Sequence, residues 1–242
     1  MIQSKVDPCI FYLKQDGSKV PKLIVDITVD DCAVAGHQSN VDWFMDELKK
    51  RFKITTGGRL KKHLGIDYKW IKDDEGMTSI VATMEKRVKD IIKSYEDASG
   101  LIAKEVDSPC IPGKVLQKNE GEIIEMDSFR SIVGKAMFFS TKLGYRTSSG
   151  TIQLAAHLSR PGQEHWDALG RLIGYLKQTK LPGMIYKTPE SLRVISCKDT
   201  DFVNCTETRR SVGSDVQTVG CTLVGWEVGQ QDGVGTSTTD DE

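Results

Sequence analysis

The sequence predicts an α+β fold: an antiparallel sheet with one helix, then a helical region, then a second β unit. Short β-branched runs separated by turn residues occupy most of residues 8–83. At Met84 the hydrophobic period changes to that of amphipathic helices, and β-type runs return after Pro182-Gly183. With 242 residues, 38% of them hydrophobic, the chain is long enough for one large domain or two small ones.

The first strands are predicted at residues 8–14 and 21–29, where apolar and β-branched side chains are concentrated. Asp-Gly within Gln15–Ser18 is typical of a hairpin turn between them. A third run at residues 32–35 follows Asp30-Asp31 directly. The two acids are therefore expected at a second tight turn.

One helix and two more strands complete this region. Ser39-Asn40 is predicted to cap a helix whose apolar positions recur at helical spacing: Val41, Phe44, Leu48 and Phe52. Gly57-Gly58 breaks the chain, and strands are then expected at residues 64–71 and 78–83.

The helical region begins with an amphipathic helix from Met84 to about Gly100. Residues 101–127 contain several Pro and Gly breakers and are interpreted as a linker. The remaining predicted helices are 129–143, 151–158 and 163–179, and the remaining predicted strands are 184–187, 192–197 and 216–228. The polar tail, residues 232–242, is expected to be disordered.

Composition narrows the classes of function. A net charge of −1 argues against tight independent nucleic-acid binding, although the segment Lys49–Lys62 holds seven basic residues and no acidic one. The six cysteines show no zinc-finger spacing, which is typical of a reduced protein. Without a signal peptide or an apolar run of about 20 residues, we expect an intracellular protein, cytoplasmic or nuclear, with no membrane partner.

The acidic turn is the segment that predicts chemistry. Two adjacent carboxylates between apolar strands, at Asp30 and Asp31, offer the oxygen ligands that Mg²⁺ prefers. The dipeptide alone is more often a simple turn, because Asp accepts hydrogen bonds from its own backbone. Its surroundings favour the metal-binding interpretation.

Those surroundings resemble the polymerase of copia-type retrotransposons in six ordered elements. Thr28-Val29-Asp30-Asp31 is similar to the reverse transcriptase hairpin that usually reads Tyr-Val-Asp-Asp. The other elements are Asp7–Tyr12 (the DPCVF-type strand), Gly58–Ile66 (G-x-L-x-x-F-L-G-I), Phe129–Gly134 (YRSLVG), Glu164–Lys177 (HW to YLK), and Ser196–Phe202 with Arg209–Gly213 and Trp226 (SDADW, RKSTSG and ISW). Together they cover roughly residues 7 to 231.

The resemblance implies a partial reverse-transcriptase palm at residues 1–83, a thumb-like helical region at 84–180 and a truncated ribonuclease H-like start at 184–231. It implies that Asp30 and Asp31 are catalytic and hold Mg²⁺ (or Mn²⁺), and that Asp199 is the first ribonuclease H carboxylate. Expected partners are dNTP and an RNA–DNA or DNA primer-template duplex. The expected nucleic-acid contacts are Lys49, Lys50, Arg51, Lys53, Arg59, Lys61, Lys62 and Gly65; a solvated helix end is the alternative for the basic ones.

Several departures limit the expected activity. Thr28 replaces the usual Tyr, and His63 replaces the family's Phe. The chain begins six residues before Asp7, so the upstream palm strand with a further carboxylate is expected to be absent, unless another polypeptide supplies it. Asp26 is expected on a solvated face or as a strand-end turn residue, about 13 Å from Asp30 along the strand. We therefore expect an enzyme fragment that is inactive alone; a non-catalytic duplex-binding module and a product of a decayed element are the alternatives.

Overall fold

The computed structural model describes residues 1–15, 17–18, 20–72, 74, 76–179, 183–189, 191–201, 212–220 and 222–230, with the backbone alone at residues 200, 201 and 230. The chain divides into two compact units, Met1–Tyr68 and Lys69–Glu242. Both contain helices and antiparallel strands. The predicted α+β class is confirmed.

Unit one contains a four-stranded antiparallel sheet in the order β1-β2-β3-β4. Its strands are β1 Ile2–Gln3, β2 Ile10–Leu13, β3 Leu23–Thr28 and β4 Asp31–Gly36, and its helix is α1 Gln38–Lys49. The strands predicted at residues 8–14, 21–29 and 32–35 are thereby confirmed. A second hairpin joins β5 Lys62–His63 to β6 Ile66–Lys72, and the boundary between the units falls within β6.

The core of unit one lies between one face of this sheet and α1. Leu23 and Val25 are fully buried and pack with Phe44 of the helix. Partly buried side chains surround them: Phe11, Leu13, Val34, Val41, Met45 and Leu48. Full burial of a side chain such as Leu23 or Val25 contributes about 1.5–3 kcal/mol, so the alternation along β3 decides which sheet face is covered by α1.

Helix α1 begins differently from the prediction. Its N-cap residue is His37, and Ser39 and Asn40 lie inside the first turn instead of capping it. The Asn40 amide donates to the Lys22 carbonyl at 3.3 Å, a tertiary bond that competes with a capping role. The helix ends at Lys49, so Phe52 lies beyond it and is 61% exposed.

Unit two combines a helical layer with two β units. Its helices are α2 Glu85–Ser99, α3 Met126–Lys142, α4 Ser148–Ala155 and α5 Gln163–Gln178, with a 3-10 turn at Tyr145–Thr147. Its strands are β7 Thr78–Thr83, β8 Gly183–Tyr186, β9 Val194–Asp201, β10 Val212–Val219 and β11 Thr222–Gln230. In the described residues, no helix has the length and apolarity that a membrane crossing requires.

The strand predicted over residues 216–228 is wrong as a single strand. The chain reverses after β10, and β10 and β11 pair as an antiparallel hairpin. Gly220 supplies the positive φ of 59° at the reversal, a conformation that glycine adopts without a steric penalty. The apolar residues on both sides of this turn look continuous in the sequence, which hid the reversal.

The core of unit two is the predicted apolar stripe of α5. Trp166, Leu169, Leu172, Ile173 and Leu176 are all buried. The Trp166 ring meets the edge of Phe129 at a centroid separation of 5.7 Å, and its indole N–H donates to the Ile124 carbonyl at 2.9 Å. This tryptophan is a core residue.

The segment predicted as a linker has irregular backbone but packs on α5. His165, at the start of α5, accepts a bond from the Gly162 backbone N–H and contacts the Gln117 carbonyl with its other ring nitrogen at 2.9 Å. A side chain at Gly174 would collide with the Lys104 carbonyl, so only glycine permits this close approach.

The proposed domain boundaries remain predictions. The compact units divide after Tyr68 instead of after Thr83, because β7 pairs with β8, more than a hundred residues later, and so belongs to unit two. The predicted tail, residues 232–242, and the Arg209–Gly213 element up to Ser211 lie outside the described residues.

Candidate functional site: an acidic hairpin and a basic segment

The acidic turn lies at the end of the β3–β4 hairpin. Thr28 pairs with Asp31, so only Val29 and Asp30 form the loop between the strands. Val29 has a φ of 58°, unusual for a β-branched residue, and its side chain is 94% exposed. Strained backbone of this kind is concentrated at functional sites, where it costs about 1–3 kcal/mol. Asp30 and Asp31 are both exposed, as a cation-binding pair would have to be.

The pairing register also decides which side chains share a face. Residues directly opposite each other on antiparallel strands project to the same side, so Thr28 and Asp31 share a face, and so do Asp26 and Ala33. This face is opposite the one that Leu23 and Val25 bury beneath α1. Asp26 and Asp31 are therefore diagonal neighbours, with backbones about 7–8 Å apart.

Asp26 is not the solvated strand residue that was expected. It lies in the middle of β3, its side chain is 28% exposed, and its carboxylate binds two partners. The His63 Nε2 atom lies 3.0 Å from Asp26 Oδ2, and the Thr28 hydroxyl donates to Asp26 Oδ1 at 3.3 Å. The expected separation was taken along the strand, from Asp26 to Asp30. It did not include Asp31, which is the diagonal neighbour of Asp26 on the opposite strand.

The cysteine that follows Asp31 is a poor metal ligand. Although Cys32 is exposed by its overall accessible area, desolvation raises the pKa of its thiol, and the nearby Asp26 carboxylate raises it further. Both causes act in the same direction, so the thiol stays protonated at neutral pH. A protonated thiol does not compete with carboxylates for a hard cation.

The basic segment follows α1 and ends in the β5–β6 hairpin. Its predicted nucleic-acid contacts are all exposed: Lys49, Lys50, Arg51, Lys53, Arg59, Lys61 and Lys62. Lys49 and Lys50 form ion pairs with Asp46 and Glu47 on α1, which reduces the free positive charge at the helix end. Arg51, Lys53, Lys61 and Lys62 are exposed further along the segment, in positions suited to phosphate contacts.

Gly65 has a structural task in that hairpin. His63 pairs with Ile66, so Leu64 and Gly65 form a two-residue turn with φ values of 48° and 81°. Positive φ at both turn positions favours glycine at the second. The turn orients His63 toward β3, and any nucleic-acid contact by Gly65 stays a prediction.

The described residues contain no group of three or more His, Cys, Asp or Glu side chains that could hold a metal ion. Asp30 and Asp31 therefore lack a third protein ligand in the part of the chain that the structure describes. Two adjacent carboxylates at a hairpin end still fit the oxygen chemistry of Mg²⁺ or Mn²⁺, which keeps several ligand positions for water and substrate phosphates.

Asp199 lies on β9, the edge strand of the β11-β10-β9 sheet in unit two. It is exposed and opposite Ser214, whose hydroxyl donates to the Asp199 carbonyl at 3.4 Å. Its role as a ribonuclease H carboxylate stays a prediction. The Trp226 indole, on β11, donates to the Ser140 carbonyl of α3 at 2.9 Å, so it anchors this sheet to the helical layer.

The His63–Asp26 pair is the feature that sequence reasoning missed. The partners are 37 residues apart, and their contact depends on the packing of two hairpins. A signal was present: Asp26 interrupts the apolar run from Leu23 to Ile27, and His63 stands where the resembled element has Phe. Two polar residues at apolar positions are natural candidates for a buried pair.

The fold and the site together define an α+β protein with a paired-acid hairpin followed by a basic segment. Comparison with known proteins shows which proteins the chain is similar to. Over 246 residues the chain is 24% identical to the retrovirus-related Pol polyproteins from transposons RE2 and RE1 of Arabidopsis thaliana, with all of this chain matched. It is also 25% identical over 216 residues to an uncharacterized mitochondrial protein of the same plant, covering 88% of this chain and 86% of that protein.

The chain is therefore similar over its full length to retrotransposon Pol polyproteins, in agreement with the resemblance to the copia type. It spans 16% of the length of the two Pol polyproteins. No family model matches the chain. No solved structure matches it either.

Proposed function

We propose that the chain is the part of a retrotransposon reverse transcriptase that carries the paired acids of the palm, with Asp30 and Asp31 as ligands of Mg²⁺ or Mn²⁺. The observation that carries this proposal is the two-residue turn, in which a strained Val29 precedes two exposed acids. The similarity to Pol polyproteins over the full chain supports it. A cation there would supply Lewis-acid chemistry for nucleotidyl transfer from dNTP, and the two carboxylates would hold it.

The proposal requires further ligands. A two-metal site needs more oxygen ligands than two carboxylates provide. The described residues contain no suitable third side chain, so the remaining protein ligands must come from polypeptide outside them, such as another part of the polymerase. We expect this chain alone to bind Mn²⁺ weakly and to leave a primer unextended.

Metal binding by the two acids is tested by electron paramagnetic resonance of Mn²⁺ titrated into the chain. Asp30→Asn and Asp31→Asn each remove one charged ligand and should weaken Mn²⁺ binding at least tenfold, which is the order of loss seen when a metal site is disturbed. Asp42→Asn is the matched control, because Asp42 is an exposed acid on α1 of the same unit. Equal losses in all three variants would contradict the proposal.

Catalysis is tested by primer extension on a poly-A template with Mg²⁺ or Mn²⁺. The isolated chain should incorporate no nucleotide, and a reconstituted polymerase that includes this chain should incorporate nucleotide only with Asp30 and Asp31 intact. Incorporation by the isolated chain that disappears in Asp30→Asn would show that the described residues suffice, contrary to our expectation.

By the same resemblance we propose that residues 84–180 act as a thumb-like helical region beside duplex and that residues 184–231 begin a ribonuclease H-like domain. Asp199 would be the first carboxylate of that second site. Its exposed position on an edge strand supports access for a cation.

A second candidate function is non-catalytic binding of RNA–DNA duplex. The exposure of every basic residue from Lys49 to Lys62 favours it, as does the missing third acid among the described residues. Each phosphate contact adds about 0.9 to the slope of log affinity against log salt. Lys61→Glu with Lys62→Glu should lower affinity and flatten that slope, whereas the control pair Lys5→Glu with Lys14→Glu should not. Equal effects of both pairs would exclude a specific role for the basic segment.

A further inference from the structure

A hydrogen-bonded chain of three side chains connects the acidic turn to the end of the basic segment in unit one. The Thr28 hydroxyl donates to one oxygen of Asp26, and the His63 ring contacts the other, at 3.3 and 3.0 Å. Each carboxylate oxygen therefore has its own partner. The His63 side chain is only 10% exposed, which shields the pair from solvent screening.

Both ends of this chain lie next to groups of the proposed site. Thr28 is the last residue of β3, immediately before the Val29-Asp30 loop, and pairs with Asp31. His63 follows Lys62 on β5, where the basic segment ends. The three linked side chains lie on the side of the sheet opposite α1, where Asp31 also projects.

We propose that Thr28, Asp26 and His63 form a positioning chain that holds the acidic turn in its strained conformation and keeps the end of the basic segment beside it. The inference rests on the proposed function for its consequence, because a turn held in one geometry presents both acids to one cation. The structural part of the inference is that the three side chains hold the conformation of the turn formed by Val29 and Asp30. None of the three residues is proposed to touch metal or substrate.

A purely structural role is the competing interpretation. An acid and an imidazole at a half-buried contact stabilise the fold if they pair, and removing one partner leaves the other unsatisfied. Replacing both partners by apolar residues leaves neither polar group unsatisfied. Such a double replacement costs little stability, since pairs of buried polar groups can be exchanged for packed apolar groups. Asp26→Leu with His63→Phe is such a replacement, and Phe is the residue that the resembled element has at this position.

The test measures amide hydrogen exchange by NMR in the full chain, together with Mn²⁺ affinity. In Asp26→Leu/His63→Phe, the positioning chain predicts about tenfold faster exchange at Asp31, which pairs with Thr28 to close the turn, unchanged exchange at the core residues Leu23 and Val25, and about tenfold weaker Mn²⁺ binding. Unchanged exchange at Asp31 in a folded double variant would overturn the inference.

Thr28→Val supplies a second, more conservative variant. Valine keeps the β-branched shape and removes only the hydroxyl that donates to Asp26, so folding should be retained. It should raise exchange at Asp31 as the double variant does, while Thr55→Val, at an exposed irregular position of the same unit, should not. Equal exchange in Thr28→Val and the parent chain would show that Asp26 and His63 do not act through Thr28.

The exchange measurement separates this inference from the proposed function. If Asp30→Asn and Asp31→Asn leave Mn²⁺ binding unchanged, the proposed metal site fails, yet the exchange rates still decide whether the three side chains hold the turn. If the exchange rates do not respond while the acids bind Mn²⁺, the positioning chain fails and the metal site stands.

Discussion

Replacing Val29 by glycine should make unit one more stable and its acidic turn less able to bind a cation. Val29 holds a φ of 58°, which costs a non-glycine residue about 1–3 kcal/mol. Its side chain is 94% exposed, so its removal sacrifices almost no buried surface. Glycine adds unfolded-state entropy of about 0.4–1 kcal/mol, which offsets part of the gain. The net effect expected is about 1 kcal/mol of added stability.

The free energy of unfolding is measured by urea titration followed by circular dichroism, with an unchanged m-value as the sign that only stability has moved. Val6→Gly is the matched control. Val6 is 96% exposed and is not among the described residues with positive φ, so glycine there should destabilise by its unfolded-state entropy alone. Equal destabilisation by the two substitutions would refute the claim that the turn is strained.

Mn²⁺ titration completes this prediction. A relaxed turn samples more conformations, so Val29→Gly should bind Mn²⁺ more weakly despite its greater stability. Such a trade between stability and function is expected where strain holds ligands in place. Tighter binding in Val29→Gly would show that the strain opposes the metal geometry.

Two further predictions concern unit two. Trp166→Phe should lower the free energy of unfolding by about 1–3 kcal/mol, because the Ile124 carbonyl loses its buried donor. The measurement is the same urea titration. Trp43→Phe is the control: this tryptophan is half-exposed, so its substitution should change the free energy of unfolding far less. Glu96→Gln should destabilise the chain near neutral pH, because the hydrogen bond from Lys177 lowers the pKa of Glu96 below its ordinary value of 4.5. That contribution is present above the unfolded-state pKa and is lost as the pH falls through the folded pKa, so the difference between variant and parent should shrink as the pH falls below 4.5. A constant difference across the titration would contradict this prediction.

The acidic hairpin and the basic segment are both consistent with the similarity of the chain to Pol polyproteins. The hairpin offers two oxygen ligands, and the segment that follows offers charges suited to a nucleic-acid backbone. Among the described residues the acids have no third ligand, so the proposed chemistry would require ligands from polypeptide outside them. The positioning chain of Thr28, Asp26 and His63 would keep these two features in one arrangement.

Local sequence patterns were sufficient to predict most of the helices and strands. The three strands around Asp30 and Asp31, helix α2 ending near Gly100 and the buried stripe of α5 were all predicted correctly. Each depends on side-chain periodicity or turn chemistry within about a dozen residues. The predicted start of α1 was wrong because the Asn40 side chain forms a tertiary hydrogen bond to the Lys22 carbonyl instead of capping the helix.

The sequence by itself determined where the two acids stand on a hairpin, because alternation and turn residues act between neighbours along the chain. Only the tertiary structure decided that Asp26 shares a face with Asp31 and binds His63, since strand register and the approach of a second hairpin join residues 37 positions apart. The packing of the irregular segment on α5 was likewise a tertiary outcome, made possible by the missing side chain of Gly174. Contacts between distant segments depend on the summed burial and steric fit of the whole fold, which no local window contains.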